Sequence, residues 1–328
     1  LLLVSSRRRL RILAMTMVIG AMFQALFASL MVLGHWELPF LGRADVAHGT
    51  FINRNHLAGF LEMNLAVGIG LLIASLEPNA YRGSWRQRLR SLIRLMLSAK
   101  MRLRLYLVIM VIALVLTHSR MGNSAFLFSL LIAGGLALVL WRGAPRPVVI
   151  LISSLILVDI LIVGTWFGFD RVAKRLEETS LATEVRDEVD VYAFRLWQDF
   201  PLTGAGLGTF YAVFPRYRGE DAEGFFDHAH NDYLEILDEG GIIGLGLLGG
   251  AVVLSLAASV LAQARRRDPL LRGMGFAATM GIAALLIHSA VDFNLQIPAN
   301  AATFMVVLAL GWIAFGLRSR RAAGKPCV

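Results

Sequence analysis

Long apolar runs separated by short polar segments dominate this 328-residue chain. Because a membrane-crossing helix needs about 20 mostly apolar residues, seven of these runs predict one span each. A shorter run at 105–119 predicts another, since Arg102 and Arg104 can extend from its end to the membrane surface. The eight predicted spans are 12–34, 57–76, 105–119, 121–141, 148–168, 242–264, 273–291 and 297–317. The pattern therefore predicts an all-α fold, a polytopic transmembrane helix bundle.

Composition supports a membrane protein. Hydrophobic residues make up 57% of the chain and its mean hydropathy is +0.65, which is more apolar surface than a soluble domain of this length can bury. The net charge of +9 does not indicate a nucleic-acid partner, because the basic residues form short clusters between apolar runs. The single cysteine, Cys327, excludes a disulfide framework and a cysteine metal site.

The basic residues also predict the orientation of the spans. Alternate connections, counted from the N-terminus, contain 22 of the 32 Lys and Arg residues. The opposite set contains 10, of which seven lie in the single long connection 169–233, so the short connections divide 22 to 3. Because cytoplasmic loops are enriched in Lys and Arg, both termini of this chain are predicted to be cytoplasmic.

The first apolar run has the basic start of a signal peptide. Its uncharged stretch, 12–34, is nevertheless 23 residues long, which exceeds a typical signal core and suffices to cross a membrane. We therefore predict a retained helix. Since the chain begins with Leu1 rather than methionine, we also expect a fragment or a processed product.

The longest connection contains most of the acidic residues. Sixteen of the 23 Asp and Glu residues lie between Asp170 and Glu239, on the predicted non-cytoplasmic side. A polar loop of this length is usually functional, so we expect the chemistry there. We divide the chain into spans one to five at 1–168, this large loop at 169–240, and spans six to eight with a cytoplasmic tail at 241–328.

Helical periodicity inside the loop predicts an amphipathic helix that ends before Pro201, whereas Arg186, Asp190 and Ala193 fall on another face of it. The apolar positions at helical spacing are Val185, Val189, Tyr192, Leu196 and Phe200. The GAGLG that follows, 204–208, does not follow the strand of a dinucleotide-binding unit. We interpret it as a tight turn that packs backbone against a helix.

The densest group of ionisable residues is DHAHNDYLE, directly before the sixth predicted span. His228 and His230 have an H-x-H spacing found in some zinc sites, with Asp227, Asp232 or Glu235 as a possible third ligand. No other ligand motif accompanies them, so we predict no metal. A solvated loop with interfacial histidines remains the structural alternative, but the position at the mouth of a helix bundle favours a function.

Three other outer segments have a structural and a functional interpretation. Arg120 interrupts an apolar region, and an arginine there either extends to water or holds an anion. Arg54 and Asn55 lie in GTFINRN just before a span, where the asparagines either cap the helix or contact a ligand. Asp292 lies in HSAVDFNLQIP at the top of the seventh span.

Glu62 and Asp159 are the only acidic residues inside the predicted spans. Each is either a polar contact between helices or part of a proton pathway, and the contact is the safer interpretation.

Five motifs together resemble the O-antigen ligase and polymerase superfamily, in the same order and with the right predicted topology. They are GTFINRNHLAGFL, THSRMG, the arginine fifteen residues before the proline of PLTGAGLGTF, HAHNDYLEILDEGG and HSAVDFNLQIP. The resemblance covers roughly residues 50–315. Members usually carry additional helices upstream, so the chain is similar to the C-terminal two-thirds of one.

The resemblance implies a GT-C-like glycosyltransferase of the bacterial inner membrane with a periplasmic active site. Its donor would be a polyprenyl-diphosphate-linked glycan, and its acceptor a sugar hydroxyl of lipid A-core, of another glycan or, in some relatives, of a protein. The essential histidine of the family matches His230, and its arginines match Arg186 and Arg120. Substrate contacts are expected from Asn231, Arg54, Asn55, His228 and Asp292.

The chemistry of the residues leads to the same roles. Breaking the bond to the diphosphate builds negative charge, which arginines can hold bidentately. A neutral His230 can take the proton of the acceptor hydroxyl near neutral pH. We therefore predict an inverting, metal-independent single displacement without a cofactor. A retaining mechanism would need two carboxylates about 5 Å apart, and the sequence shows no distinct candidate pair.

Three alternatives stay open. A polymerase would use the same donor type but transfer a growing chain onto a lipid-linked repeat unit. A transporter or flippase for lipid-linked sugars would be expected to show internal repeats and charges at the membrane midplane, whereas the ionisable residues here cluster on one face. A zinc-dependent membrane hydrolase would be sensitive to chelators.

Overall fold

The computed structural model of the protein describes residues 3–35, 37–38, 42–43, 45–76, 99–141, 146–167, 180–219 and 226–317. The α-helices are α1 Arg7–Leu33, α2 Arg54–Ala74, α3 Ala99–Leu116, α4 Arg120–Leu140, α5 Arg146–Phe167, α6 Ser180–Asp199, α7 Phe210–Val213, α8 Asp232–Arg265, α9 Pro269–His288 and α10 Pro298–Gly316. Two 3₁₀ helices, Phe214–Arg216 and Asn294–Gln296, and a small antiparallel pair of strands, Glu37–Leu38 with Gly42–Arg43, complete the elements.

The all-α, polytopic membrane fold is confirmed. Each predicted span coincides with a helix, and six helices within the described residues are long and apolar enough to cross a membrane: α1, α2, α4, α8, α9 and α10. The helix α3 begins with a basic turn, and the start of α5, Arg146–Leu157, is a shorter apolar helix. The tail with Cys327 lies outside the described residues, as does the side chain of Asp159.

The helices α2 and α9 form the centre of the bundle. They are its most buried candidate spans, and they pack along one another. Their backbones approach closely, because a Cβ atom added to Gly70 would lie 2.3 Å from the carbonyl oxygen of Gly273. Small residues permit this packing in a bilayer, where apolar side chains gain nothing by leaving lipid. The remaining helices surround this pair: α1 and α3 contact α2, and α4, α8 and α10 contact α9.

The amphipathic helix predicted in the large loop is present as α6, but its buried face was predicted in part wrongly. Val189 and Leu196 are buried as expected, and Ala193, which was placed on another face, is also fully buried. Positions 189, 193 and 196 have the i, i+4, i+7 spacing of one helical stripe. Phe200, in contrast, is 41% exposed. Val189, Ala193 and Leu196 form a small second core with Phe210, Phe214 and Ala229.

The helix α8 begins at Asp232, ten residues before the predicted start of the sixth span at 242. The predicted span lies inside this helix, whose polar first turns belong to the segment that the sequence assigned to the large loop. A non-helical residue, Gly241 with φ 61° and ψ −167°, kinks α8 between this polar start and the apolar remainder. The polar first turns thus extend the spanning helix into the candidate site.

Candidate functional site

The polar outer segments predicted from the sequence meet at one end of the bundle. The ring of Phe293 lies at their centre, in the connection between α9 and α10. The imidazoles of His56 and His230 contact it edge-on, with ring centroids 4.6 and 4.7 Å away, and that of His228 stacks on it at 4.6 Å. Three histidines from two distant parts of the chain therefore share one aromatic contact.

The start of α8 is fixed to the connection that follows α9. The fully buried carboxylate of Asp232 accepts hydrogen bonds from the Ser289 hydroxyl at 2.6 Å and from the Leu295 N–H at 3.1 Å. Its own N–H donates to the Ser289 carbonyl. One residue earlier, the Asn231 side chain caps α8 by accepting from the N–H groups of Tyr233 and Leu234. These bonds hold His230, whose φ of 53° is left-handed, next to Phe293.

A buried carboxylate, Asp292, lies among three imidazoles. Its Oδ1 is 3.6 Å from His56 Nε2 and 4.0 Å from His230 Nδ1, and its Oδ2 is 3.9 Å from His288 Nε2. Burial by itself would raise the pKa of Asp292, but the imidazoles of His56 and His288 and the N–H of Phe293 lower it below its ordinary value. Asp292 is only 1% exposed, and His230 is the one of these three histidines whose side chain is partly exposed to solvent.

The network continues into the bundle through His288 and Glu62. His288 Nδ1 donates to Glu62 Oε1 at 3.1 Å, and both side chains are fully buried. Glu62 lies on α2 and His288 on the last turn of α9, so the bond joins the two central helices. The polar-contact interpretation of Glu62 is confirmed by this geometry.

His228 is engaged by a carboxylate of its own. Its Nδ1 donates to Glu235 Oε1 at 2.7 Å, and the other oxygen of Glu235 accepts from the Ala229 N–H. The hydrogen bond to Glu235 raises the pKa of His228 above its ordinary value, against the opposing effect of partial burial. Among the described residues, no group of three His, Cys, Asp or Glu side chains is arranged to hold a metal ion.

The glycine-rich turn packs its backbone against the kink of α8, as its sequence predicted. The kink leaves the N–H groups of Ile242 and Ile243 without helical partners, and they donate to the carbonyls of Pro201 and Leu202. In the other direction, the Ala205 and Gly206 N–H groups donate to α8 carbonyls. The turn therefore replaces the hydrogen bonds that the kink interrupts.

Two predicted arginines begin neighbouring helices. Arg54 is the first residue of α2 and Arg120 the first residue of α4, and both side chains are exposed. The first turns of these helices are in close contact, because a Cβ atom on Gly122 would lie 2.5 Å from that of Ala58. Burial and the positive charge of Arg54 lower the pKa of His118 at the turn between α3 and α4. The two guanidinium groups thus lie at the same end of the bundle as the histidines.

The structure gives different information on the two other predicted site residues, Asn55 and Arg186. The N–H of Asn55 donates to the cap residue Asn53, so Asn55 belongs to the first turn of α2. Arg186 lies within α6, but its side chain is outside the described residues. Its expected role stays a prediction, as do the roles of the other site residues.

The family model described as O-antigen ligase matches residues 105–249. Over these residues the chain is similar to the O-antigen ligase family. The match includes Arg120, Arg186, His228, His230 and Asn231, whereas Arg54, Asn55 and Asp292 lie outside it. A comparison with curated proteins gives no match.

The match to the O-antigen ligase family model has general consequences. It implies a glycosyltransferase-like activity of the ligase or polymerase type, acting on lipid-linked glycans at a bilayer. Together with the apolar helices, it indicates a multi-pass bacterial membrane protein.

The sequence did not predict the contacts of four residues in this candidate site. His56 and Phe293 were not singled out, and Asp232 and Glu235 were considered only as possible metal ligands. All four lie inside the quoted motifs, and for Phe293, Asp232 and Glu235 the proximity in sequence to His230 or Asp292 was a usable signal. The bond between Glu62 and His288 spans 226 positions, however, and only the packing of α2 on α9 reveals it.

Proposed function

We propose that this protein transfers a glycan from a polyprenyl-diphosphate donor to a sugar hydroxyl, as an O-antigen ligase acting on lipid A-core at the periplasmic face of the inner membrane. The observation that carries the proposal is the position of His230. Its imidazole is held between Phe293 and Asp292, at the bundle end where two arginine-bearing helices begin. His230 and Arg120 lie in the matched region.

The proposed reaction is a single displacement. His230 takes the proton of the acceptor hydroxyl while its oxygen forms a bond to the anomeric carbon of the donor. The bond from that carbon to the diphosphate breaks, and its electron pair leaves with the diphosphate. Attack opposite the leaving group inverts the anomeric centre. Asp292 stabilises the imidazolium that His230 becomes.

In this proposal the arginines stabilise the departing diphosphate. Arg120 and Arg186 hold its oxygens, and Arg54 adds positive charge beside Arg120. Asn231 positions the backbone of His230 through its cap on α8. His228 and Asn55 line the acceptor side. The groups named for this step are side chains of the chain itself, and the proposal assigns no cofactor.

The test is a transfer assay with the full chain in detergent containing EDTA. A polyprenyl-diphosphate oligosaccharide is offered either with lipid A-core or with a second donor molecule. Glycan on lipid A-core supports ligation, whereas a ladder of longer lipid-linked chains would assign a polymerase. Absence of product with either acceptor, from a folded protein, would favour a transporter.

The variants His230→Ala and Arg120→Ala locate the site within the same assay. We expect His230→Ala to reduce kcat by about 100-fold or more, the usual contribution of a general base. Arg120→Ala should reduce kcat/KM for the donor, while Arg104→Ala serves as its control, since Arg104 is an exposed arginine on α3 outside the site. Full activity of a folded His230→Ala protein would overturn the proposal.

A further inference from the structure

A chain of ionisable side chains connects the candidate site with the interior of the bundle. His288 donates from Nδ1 to Glu62, and its Nε2 lies 3.9 Å from Asp292. The other oxygen of Asp292 lies 4.0 Å from His230 Nδ1. The imidazole of His288 thus links a carboxylate inside the bundle to the carboxylate beside the proposed base.

We propose, on the basis of the function above, that Glu62 and His288 are positioning residues for the transfer reaction. Glu62 orients the ring of His288, His288 holds the carboxylate of Asp292, and Asp292 orients His230. The proton of the acceptor stops at His230, which is partly exposed and returns it to solvent. Glu62 and His288 therefore act on the base without touching the substrate.

The first argument is the free-energy cost of burying two ionisable side chains at a helix interface that can pack without them. Glu62 and His288 are both fully buried, and a charged or polar pair inside a membrane bundle is costly unless it serves a purpose. Elsewhere along the same interface, α2 and α9 pack through Gly70 and Gly273. The ionisable pair occurs instead at the end of α9 that leads to Asp292.

The second argument is that the network reaches His230, whose side chain is partly exposed. Asp292 accepts a hydrogen bond from the Phe293 N–H at 2.9 Å, which fixes its Oδ1 between His56 and His230. Its Oδ2 is directed to His288. The two oxygens of Asp292 thus lie within ion-pair distance of His288 and of His230, so a change in the position or charge of the His288 ring alters the electrostatic field at the base.

The charged groups around His230 come from every element that meets at the site, so a pH profile must be interpreted with all of them. From α2 they are Arg54, His56 and Glu62; from the start of α8 and the segment before it, His228, Asp232 and Glu235; from the end of α9 and its connection, His288 and Asp292; and from α4 and the turn before it, His118 and Arg120. Because these groups interact, a variant that removes one charge has to be compared with a variant at the same position that keeps it.

Glu62→Gln is the decisive variant, because it keeps the size of the side chain and removes its charge. We expect kcat to fall about 10- to 100-fold, as for other residues that orient an active group, with KM for the donor changed by less than about 3-fold. Loss of a negative charge makes protonation of the base less favourable, so the acidic limb of kcat/KM should move to lower pH. Glu62→Asp keeps the charge and should keep that limb at its wild-type position.

Thr279→Val is the matched control. It removes a buried polar contact of α9 to α8, since the Thr279 hydroxyl is bonded to Ser259 and Gln263. It should leave both kcat and the acidic limb close to wild type. A wild-type kcat in Glu62→Gln, or an acidic limb that does not move, would overturn the positioning role.

His288→Gln keeps the inference testable if Glu62→Gln does not fold. It breaks the same chain from the other side, and we expect a similar loss of kcat. In the double variant the losses should not add, because both changes disrupt one connection. A folded His288→Gln protein with wild-type kcat would also overturn the inference. Full activity of His230→Ala would instead contradict the proposed function itself.

Discussion

At the scale of single residues, Phe293 explains how the site is assembled from distant segments. Its ring stacks on the imidazole of His228, and it makes edge contacts with the imidazoles of His56 and His230. The carboxylate next to it in sequence, Asp292, adds opposite charge to the same imidazoles. An aromatic residue and an acid in adjacent positions thus orient rings that no local sequence pattern relates.

The bond between His228 and Glu235 makes stability depend on pH. Because the folded protein raises the pKa of His228, the pair stabilises the fold fully below the ordinary value of about 6.5. That contribution is lost as pH rises through the raised value. Glu235→Gln should therefore lower the unfolding temperature more at about pH 6 than at about pH 9.

Thermal unfolding in detergent at both pH values measures this difference. Asp227→Asn is a useful comparison, since Asp227 contributes to the same pKa from an exposed position and should have a smaller effect. An unfolding difference between wild type and Glu235→Gln that is independent of pH would contradict the assignment.

At the scale of elements, the kink of α8 separates its chemical part from its spanning part. The residues before Gly241 lie in the site and in the second core, whereas the helix after it is mainly apolar. A left-handed glycine is needed there, since a Cβ atom at Gly241 would lie 2.2 Å from the Leu202 carbonyl oxygen. The glycine-rich turn and the kink therefore require one another.

Gly241→Ala should destabilise the fold by at least about 1–3 kcal/mol, the usual cost of such backbone strain, and should lower transfer activity because the start of α8 moves. Gly244→Ala is the control three residues later, where an added Cβ atom meets open space. Unfolding temperatures and transfer rates of both proteins provide the comparison. Equal stability of the two variants would show that the kink does not need glycine.

At the scale of the whole molecule, the site lies at one end of the bundle. The orientation of the bundle in the membrane therefore determines which compartment the site faces. The distribution of Lys and Arg predicts that this end faces the periplasm and that both chain termini are cytoplasmic. A polyprenyl-linked donor and a lipid-anchored acceptor could then both reach the site along the membrane surface.

Cysteine labelling tests this orientation directly. In a Cys327→Ser background, Asp227→Cys should react with a membrane-impermeant maleimide in intact cells. Arg267→Cys, an exposed position after α8, should react only after the inner membrane is permeabilised. The reverse pattern would invert the topology and place the histidines on the cytoplasmic side.

The fold was largely predictable from the sequence because a bilayer imposes simple demands. About 20 apolar residues must form a helix when no water is present to bond the backbone, and each of the eight runs indeed forms one. Less predictable was the start of α8, since its acids and histidines resemble a loop. In the structure Asn231 caps that turn, and the buried carboxylates of Asp232 and Glu235 accept hydrogen bonds at the site.

The sequence by itself determined the class of protein, the approximate limits of its helices and the motifs that bear its histidines and arginines. Hydropathy and motif order are properties of the linear sequence, so they can be read without a structure. Only the tertiary structure decided that Asp292 lies between three imidazoles and that His288 joins it to Glu62. Those contacts depend on how α2 packs against α9, and packing between residues more than 200 positions apart leaves no periodic signal in a single sequence.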